Sequence, residues 1–227
     1  MNKERAPFIK GLREKHGFSQ ALLADKLGIS RTTYIAIENG TKELSLEEAK
    51  KLAEIFSISL DELTQAEMPN YEKYKQMILA FLRADADFRG RIPKTKLAKL
   101  LYLADFAWFY NNLMSMSGMQ YRRIQFGPVP DLYFRAVDEL FEDGKINIEK
   151  VDEALLVSQA GSTPNVKLNL LSLQESALIA KIAKKWRDKR TKEIVDFTHE
   201  QLPYRIAVED EIIPYSLITQ EDPGHVY

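Results

Sequence analysis

The chain contains no cysteine, which excludes disulfides, thiol catalysis and cysteine-ligated zinc and is compatible with a reducing compartment. Its three histidines, His16, His199 and His225, lie far apart and lack the paired spacing of a metal site. No run approaches the ~20 apolar residues of a membrane span. The start, Met1 to Pro7, has no apolar centre of a signal peptide, so the expected location is the cytoplasm, with no membrane partner. A phosphate-cradling glycine loop is missing too, because Phe126-Gly127-Pro128 lacks the successive N–H groups such a loop needs. His199-Glu200 beside Asp196 admits an acid–base cluster, against which a surface or capping histidine at a helix end is the simpler account. The expectation is therefore no catalytic residue, no metal ligand and no cofactor.

What is present is globular: 45% hydrophobic and 29% charged residues, close to the average of packed domains, in 227 residues that suffice for two modest domains. The fold class expected is mainly α with a small antiparallel sheet. It comprises an N-terminal domain over residues 1–66, a linker at 67–70 and an α+β domain over 71–227. Around the linker, Gln65 to Asn70 spans at most roughly 20 Å when extended, which makes the domains near neighbours.

The segment from Ser19 to Gly40 reads as two short helices joined by a tight turn. Ser19 and Ser30 are placed to cap them, and Gly28 sits where the chain turns between them. Leu23, Leu27, Tyr34 and Ile37 fall at helical spacing and bury one face, and Asn39-Gly40 stops the second helix. Arg31, Thr32, Thr33 and Ala36 remain outward near its start, where such a helix meets base edges in the major groove. Gln20 opens the first helix, where a phosphate can be met. Ser45-Leu46-Glu47-Glu48 and Ser59-Leu60-Asp61-Glu62 are capping boxes for further helices.

These residues carry a family resemblance. The pattern S-Q-x-x-L-A-x-x-L-G-I-S-x-x-T-Y-x-x-I-E-N-G resembles the helix-turn-helix domain of the phage-repressor (Xre) family over about Ala6 to Gln65. The resemblance implies an all-α five-helix domain in which Gln20, Arg31, Thr32 and Ala36 face the groove, with Ser30 as the cap and Thr33 and Lys42 near the DNA backbone. Ala36 stands where many relatives carry a longer polar reader, which leaves base readout mostly to Arg31 and Gln20. Residues 1–65 hold ten Lys and Arg against ten Asp and Glu. Affinity is then expected to depend on the local placement of Arg13, Arg31 and Lys42 and on a homodimer matching operator symmetry.

Beyond the linker, helices are expected over Tyr71 to about Phe88, Lys94 to about Asn112, from after Pro130 to about Glu142, Leu173 through Trp186 and Thr191 to His199. Strands are expected at Met119 to Phe126, Ile146 to Glu149, Ala154 to Ser158 and Val166 to Leu170. Gly127-Pro128-Val129-Pro130 forces a turn. Aromatic residues crowd Tyr102 to Phe134; most are expected in the core, and the surplus is a source of interface residues. The end, from Val208, has five acids and no Lys or Arg; it reads as a solvated tail or, less simply, as one that seeks a basic partner.

Three separated blocks carry a second resemblance. They are Lys99 to Asp105 (K-L-L-Y-L-A-D), Phe126 to Pro130 ahead of Tyr133, and Thr198-His199-Glu200-x-x-Pro203-Tyr204. In this order they resemble the Panacea, or SocA-like, domain, whose relatives often have Trp where Tyr204 stands. That resemblance implies an antitoxin: residues 71–227 neutralise a cognate protein toxin encoded nearby, and the first domain represses the operon at operator DNA. Toxin contacts are expected at Tyr121, Arg123 and Gln125, on one face of the expected strand, and at Tyr133. A one-component ligand-sensing or prophage regulator, or an adaptor that delivers the toxin to a protease, remain alternatives.

Overall fold

The computed structural model describes residues 6–56, 58, 60, 63, 69–84, 90–161 and 166–227. The chain divides into two compact units, Met1–Met68 and Pro69–Tyr227.

Among the described residues the first unit packs the helices α1 (Ala6–Lys15), α2 (Gln20–Leu27), α3 (Arg31–Glu38) and α4 (Leu46–Phe56). Each boundary has a local chemical cause. Ser19 Oγ accepts the Leu22 N–H at 3.1 Å, and Ser30 Oγ accepts that of Thr33 at 3.0 Å. Gly28 ends α2 at φ +74°, a left-handed conformation that a side chain would penalise. Ser45 and Glu48 close a reciprocal cap ahead of α4, at 2.7 and 3.2 Å. Ile9, Leu23, Leu27, Tyr34, Ile37, Leu52 and Phe56 form the core. The capping box expected at 59–62 lies outside the described residues apart from Leu60.

The second unit is built around one buried helix. It runs α5 (Tyr71–Arg83), β1 (Arg91–Pro93), α6 (Lys94–Asn112), β2 (Tyr121–Arg122), β3 (Val129–Pro130), α7 (Tyr133–Glu142), β4 (Ile146–Val151), β5 (Ala154–Gln159), α8 (Leu173–Trp186), α9 (Thr191–Glu200) and α10 (Leu202–Ile206). Helix α6 is buried on nearly every side, from Leu97 through Phe109, as an apolar helix must be when neighbours surround it. One antiparallel sheet has the order β1-β5-β4, with Ile92 opposite Val157 and Ile148 opposite Val157 from the other side. A second pairs β2 with β3 in two-residue strands.

Several expectations fail here for tertiary reasons. Val166 to Leu170 forms no strand: Arg83 donates to the Val166 carbonyl at 2.5 Å and Gln76 accepts the Leu170 N–H at 2.9 Å, so side chains of α5 take the bonds a ladder would use. The strand expected over Met119 to Phe126 is confined to Tyr121–Arg122, with Arg123 still bonded to Glu211 before the turn at Ile124 to Gly127. Strand β1, three residues long, carries too short a pattern to be seen in sequence. Helix α5 ends at Arg83; of the residues assigned to it beyond, 85–88 lie outside those described. The acidic end is no solvated tail. Ile213, Ile218 and Val226 are buried in the core, and Glu221 accepts the Leu202 N–H at 2.5 Å.

Among the described residues, no helix is long and apolar enough to cross a membrane, and no cluster of His, Asp and Glu fits a metal ion.

Candidate nucleic-acid interface and the motif cluster of the second domain

In the first unit, α3 buries Tyr34 and Ile37 in the core and leaves Arg31 and Thr32 exposed, with Thr33 and Ala36 half-buried. Ser30 is exposed, and its hydroxyl also meets that of Thr33 at 2.8 Å, which fixes the Thr33 rotamer toward the cap. This leaves Arg31 as the long donor of the helix start and three small side chains around it, Thr32, Thr33 and Ala36, each with a methyl group able to meet a thymine methyl.

At the end of α3 lies a buried ionic network. Glu38 accepts from Arg13 Nε at 2.6 Å, Tyr34 Oη at 2.7 Å and Gln20 Nε2 at 2.9 Å. Burial opposes the charge on Glu38, but the bonds from Arg13, Gln20 and Tyr34 outweigh it and hold the carboxyl below its usual range. Two expectations change as a result. Arg13 points inward and also binds the Phe18 carbonyl at 2.9 Å, so it ties α1 to α3 instead of facing DNA. Gln20 stands at the start of α2, yet its amide is engaged by Glu38. Lys42 is held as well, by both oxygens of Glu48 at 2.8 and 2.9 Å.

In the second unit the three motif blocks converge on one turn. Gly127 donates its N–H to the Ile124 carbonyl at 2.8 Å and adopts φ +90°, closing the turn Ile124 to Gly127. Lys99, only 2% exposed, donates Nζ to the Pro128 carbonyl at 3.0 Å. A Cβ on Gly127 would lie 2.8 Å from His199 Nε2 and 2.8 Å from Lys99 Cε, so glycine is required where these two side chains close in. His199 stacks flat on Tyr204, ring centres 4.3 Å apart, and Tyr204 donates its hydroxyl to the Ile124 carbonyl at 2.8 Å. Arg123 lies over the opposite side of the cluster, 4.9 Å from the Tyr204 ring centre, with Nε on the Tyr204 carbonyl at 3.0 Å.

Electrostatically the cluster is poor in charge compensation. Burial pushes the Lys99 ammonium down to about 7. Burial, and then the neighbouring Lys99, lower His199 in turn, and His199 Nε2 is buried without a hydrogen bond. The third charged motif residue is satisfied inside: Asp105 accepts from the Ser117 N–H at 2.6 Å, the Ser117 hydroxyl at 2.5 Å and the Tyr121 hydroxyl at 2.8 Å.

Burial takes two of the four expected toxin contacts, Tyr121 and Tyr133, away from the surface. Tyr121 is fully buried, packed edge-on to Tyr102 and Phe106. Tyr133 is buried as well, with its hydroxyl on the Lys94 carbonyl at 2.5 Å. Arg123 is half-buried against Tyr204, and Gln125 alone of the four is exposed. The strand alternation that grouped Tyr121, Arg123 and Gln125 on one face ends before Gln125, because the turn Ile124 to Gly127 intervenes. Sequence reasoning missed Lys99, His199 and Tyr204 as partners of one turn. Their only signal was membership of the three motif blocks, since a lone lysine in an apolar helix reads as either core or surface.

These features define a helix-turn-helix protein with a second, α+β domain. Comparison with known proteins agrees. The helix-turn-helix family matches residues 9–63, and the family described as antitoxin SocA-like, Panacea domain, matches residues 97–203. An HTH-type transcriptional regulator of Methanocaldococcus jannaschii is 42% identical over 55 residues, 24% of this chain and 83% of that protein. The CTXphi cryptic-phage transcriptional repressor RstR of Vibrio cholerae is 34% identical over 71 residues, 31% of this chain and 64% of its own length. The regulator AnsR of Bacillus subtilis is 40% identical over 63 residues, 28% of this chain and 52% of its own. This chain spans only 16% and 17% of two larger regulators, from Pyrococcus abyssi and Thermococcus kodakarensis. No solved structure gives a significant match. The chain belongs to the Xre-like helix-turn-helix proteins fused to a SocA-like Panacea domain.

Proposed function

We propose that this protein is the antitoxin of a toxin–antitoxin pair. Residues 71–227 bind and mask a cognate protein toxin encoded nearby, and residues 1–66 bind operator DNA as a homodimer and repress the operon. The observation that carries the reading is the union in one chain of an open recognition helix with a Panacea domain. The second domain acts by occlusion, with no bond made or broken. Its motif side chains support this, because they are spent on a turn: Lys99 donates to the Pro128 carbonyl and Tyr204 to the Ile124 carbonyl. The protein works in the cytoplasm without a cofactor. DNA recognition rests on Arg31, with Thr32, Thr33 and Ala36 beside it and Ser30, Gln20 and Lys42 toward the phosphates.

The test is colony formation by a host expressing the neighbouring open reading frame, alone and together with this full chain. Rescue of a toxic neighbour, with the neighbour still present by immunoblot, establishes neutralisation by masking. Rescue with disappearance of the neighbour moves the mechanism to delivery to a protease. A harmless neighbour, or toxicity that the chain does not relieve, overturns the antitoxin reading in favour of a ligand-sensing or prophage regulator.

A further inference from the structure

Lys99, His199 and Tyr204 of the motif blocks hold a turn at its two ends. Lys99 grips the turn at the Pro128 carbonyl and Tyr204 at the Ile124 carbonyl, while His199 and Lys99 press on Gly127. The tip residues Gln125 and Phe126 point away, and Phe126 is 69% exposed. A second turn is fastened beside the first. The N–H of Arg123 donates to the Glu211 carbonyl at 2.9 Å, and that of Asp210 to the Arg123 carbonyl at 2.8 Å. This turn closes through the Glu211 N–H on the Val208 carbonyl at 3.2 Å and holds Asp210 at φ +63°, uncommon for a residue with a side chain. Ile206 and Val208 are 54% and 61% exposed there.

We infer that these two turns form the docking surface of the second domain, and that its occupant is a basic protein face with an apolar recess for Phe126. The inference rests on the reading of this domain as a toxin-binding unit and names where and what it binds. Two physical arguments carry it. An aromatic side chain held out on a rigid, doubly anchored turn is pre-organised, so little conformational freedom is lost when a partner encloses it. Leu173, more exposed still at 91%, stands singly at the start of α8 and has no such frame.

Charge selects the partner. Glu209, Asp210 and Glu211 are all exposed around the apolar centre. Of the nearby cations, Arg122 is paired with Asp131 at 2.9 Å and Arg123 is stacked on Tyr204, which leaves Arg205 as the exposed one. Acids facing solvent around an apolar anchor attract a complementary basic rim and speed its approach.

The experiment uses the full chain and the purified product of the neighbouring open reading frame, by calorimetry and by growth rescue. Phe126→Ala is expected to weaken binding tenfold or more. Glu209→Lys with Glu211→Lys should weaken it at least tenfold and remove most of its salt dependence. Leu173→Ala, the exposed control, should leave it unchanged. Thermal midpoints of all three variants should stay near that of the parent, since the altered side chains face solvent. Unchanged affinity and rescue with the Phe126 and acidic variants would overturn the surface while leaving the antitoxin reading intact. A change of dimerisation in place of toxin binding would assign the turns to a second copy of this chain and overturn it likewise. If the parent protein neither binds nor rescues, the antitoxin reading falls and the docking surface falls with it.

Discussion

Glu38 in the first domain's motif and Lys99 in the second's are both buried, and in opposite ways. In the first, Glu38 is surrounded by three donors from α1, α2 and α3, all within 2.9 Å. The network is a staple between helices, and Arg31 and Thr32 of α3 are left exposed. In the second, Lys99 is buried against one backbone carbonyl, with an unbonded histidine nitrogen nearby and, among the described residues, no ion pair. A compensated buried charge stabilises its fold only while every partner is present. An uncompensated one costs stability at neutral pH and is tolerated for what it holds in place, which here is the backbone of the turn Ile124 to Gly127.

The contrast can be broken from either side, and tryptophan makes the readout separable. Both tryptophans, Trp108 and Trp186, lie in the second unit, so their fluorescence follows that unit while circular dichroism follows both. The largest effect is expected for Glu38→Ala. Removing one member of the buried network strands Arg13 and Tyr34 and should destabilise the first unit by about 3 kcal/mol. An early circular-dichroism transition in urea with unmoved fluorescence would show it. Because the Glu38 carboxyl is lowered in the fold, its contribution is present above the ordinary glutamate range and is lost as pH falls through the folded value. Glu38→Gln should therefore flatten the acid limb of stability.

Gly127→Ala comes next. The positive φ and the 2.8 Å approach to His199 and Lys99 together should cost the second unit about 2–4 kcal/mol. A fluorescence midpoint equal to that of the parent would mean the turn yields easily, and the grip on it would lose its meaning.

Lys99 sharpens the comparison through pH. Its folded value of about 7 lies below that of a free lysine at about 10.4. Between these the unfolded chain binds the extra proton, so stability of the second unit rises with pH from 7 to about 10, by up to about 1.4 kcal/mol per pH unit. Lys99→Met should abolish this rise. A parent protein whose fluorescence-detected stability is flat across that window would show that the lysine is compensated after all.

Smaller effects test the local signals. Ser172→Ala removes the cap of α8, where Ser172 accepts the Glu175 N–H at 3.2 Å and Glu175 returns the bond at 2.8 Å, and should cost about 1 kcal/mol. Lys42→Ala breaks a partly exposed pair with Glu48 and should change stability by no more than about 0.5 kcal/mol. Operator affinity should fall more visibly and become less dependent on salt, if Lys42 reaches a phosphate on binding.

What the sequence by itself determined was local. Ser19, Gly28, Ser30, Gly40 and the reciprocal caps at 45–48 and 172–175 act within one turn of backbone, so their chemistry can be read in order along the chain. The spans of α2, α3, α6 and α8 followed, and so did the composition of the first domain's core. The tertiary structure decided whatever depended on partners far away in sequence. Tyr121 and Tyr133 carry no mark of burial in their own neighbourhoods; Asp105 and the Lys94 carbonyl pull them inside. Val166 to Leu170 has a strand's composition, but side chains of α5 take its backbone bonds. Arg13 and Arg31 are equally cationic in the sequence, and only the position of Glu38 turns one inward while the other faces solvent. The turn at 124–127 is held by Tyr204, 80 residues on from Ile124. Caps and periodicity are short-range and pairwise in sequence, whereas burial and hydrogen-bond satisfaction are settled only when the whole chain has packed.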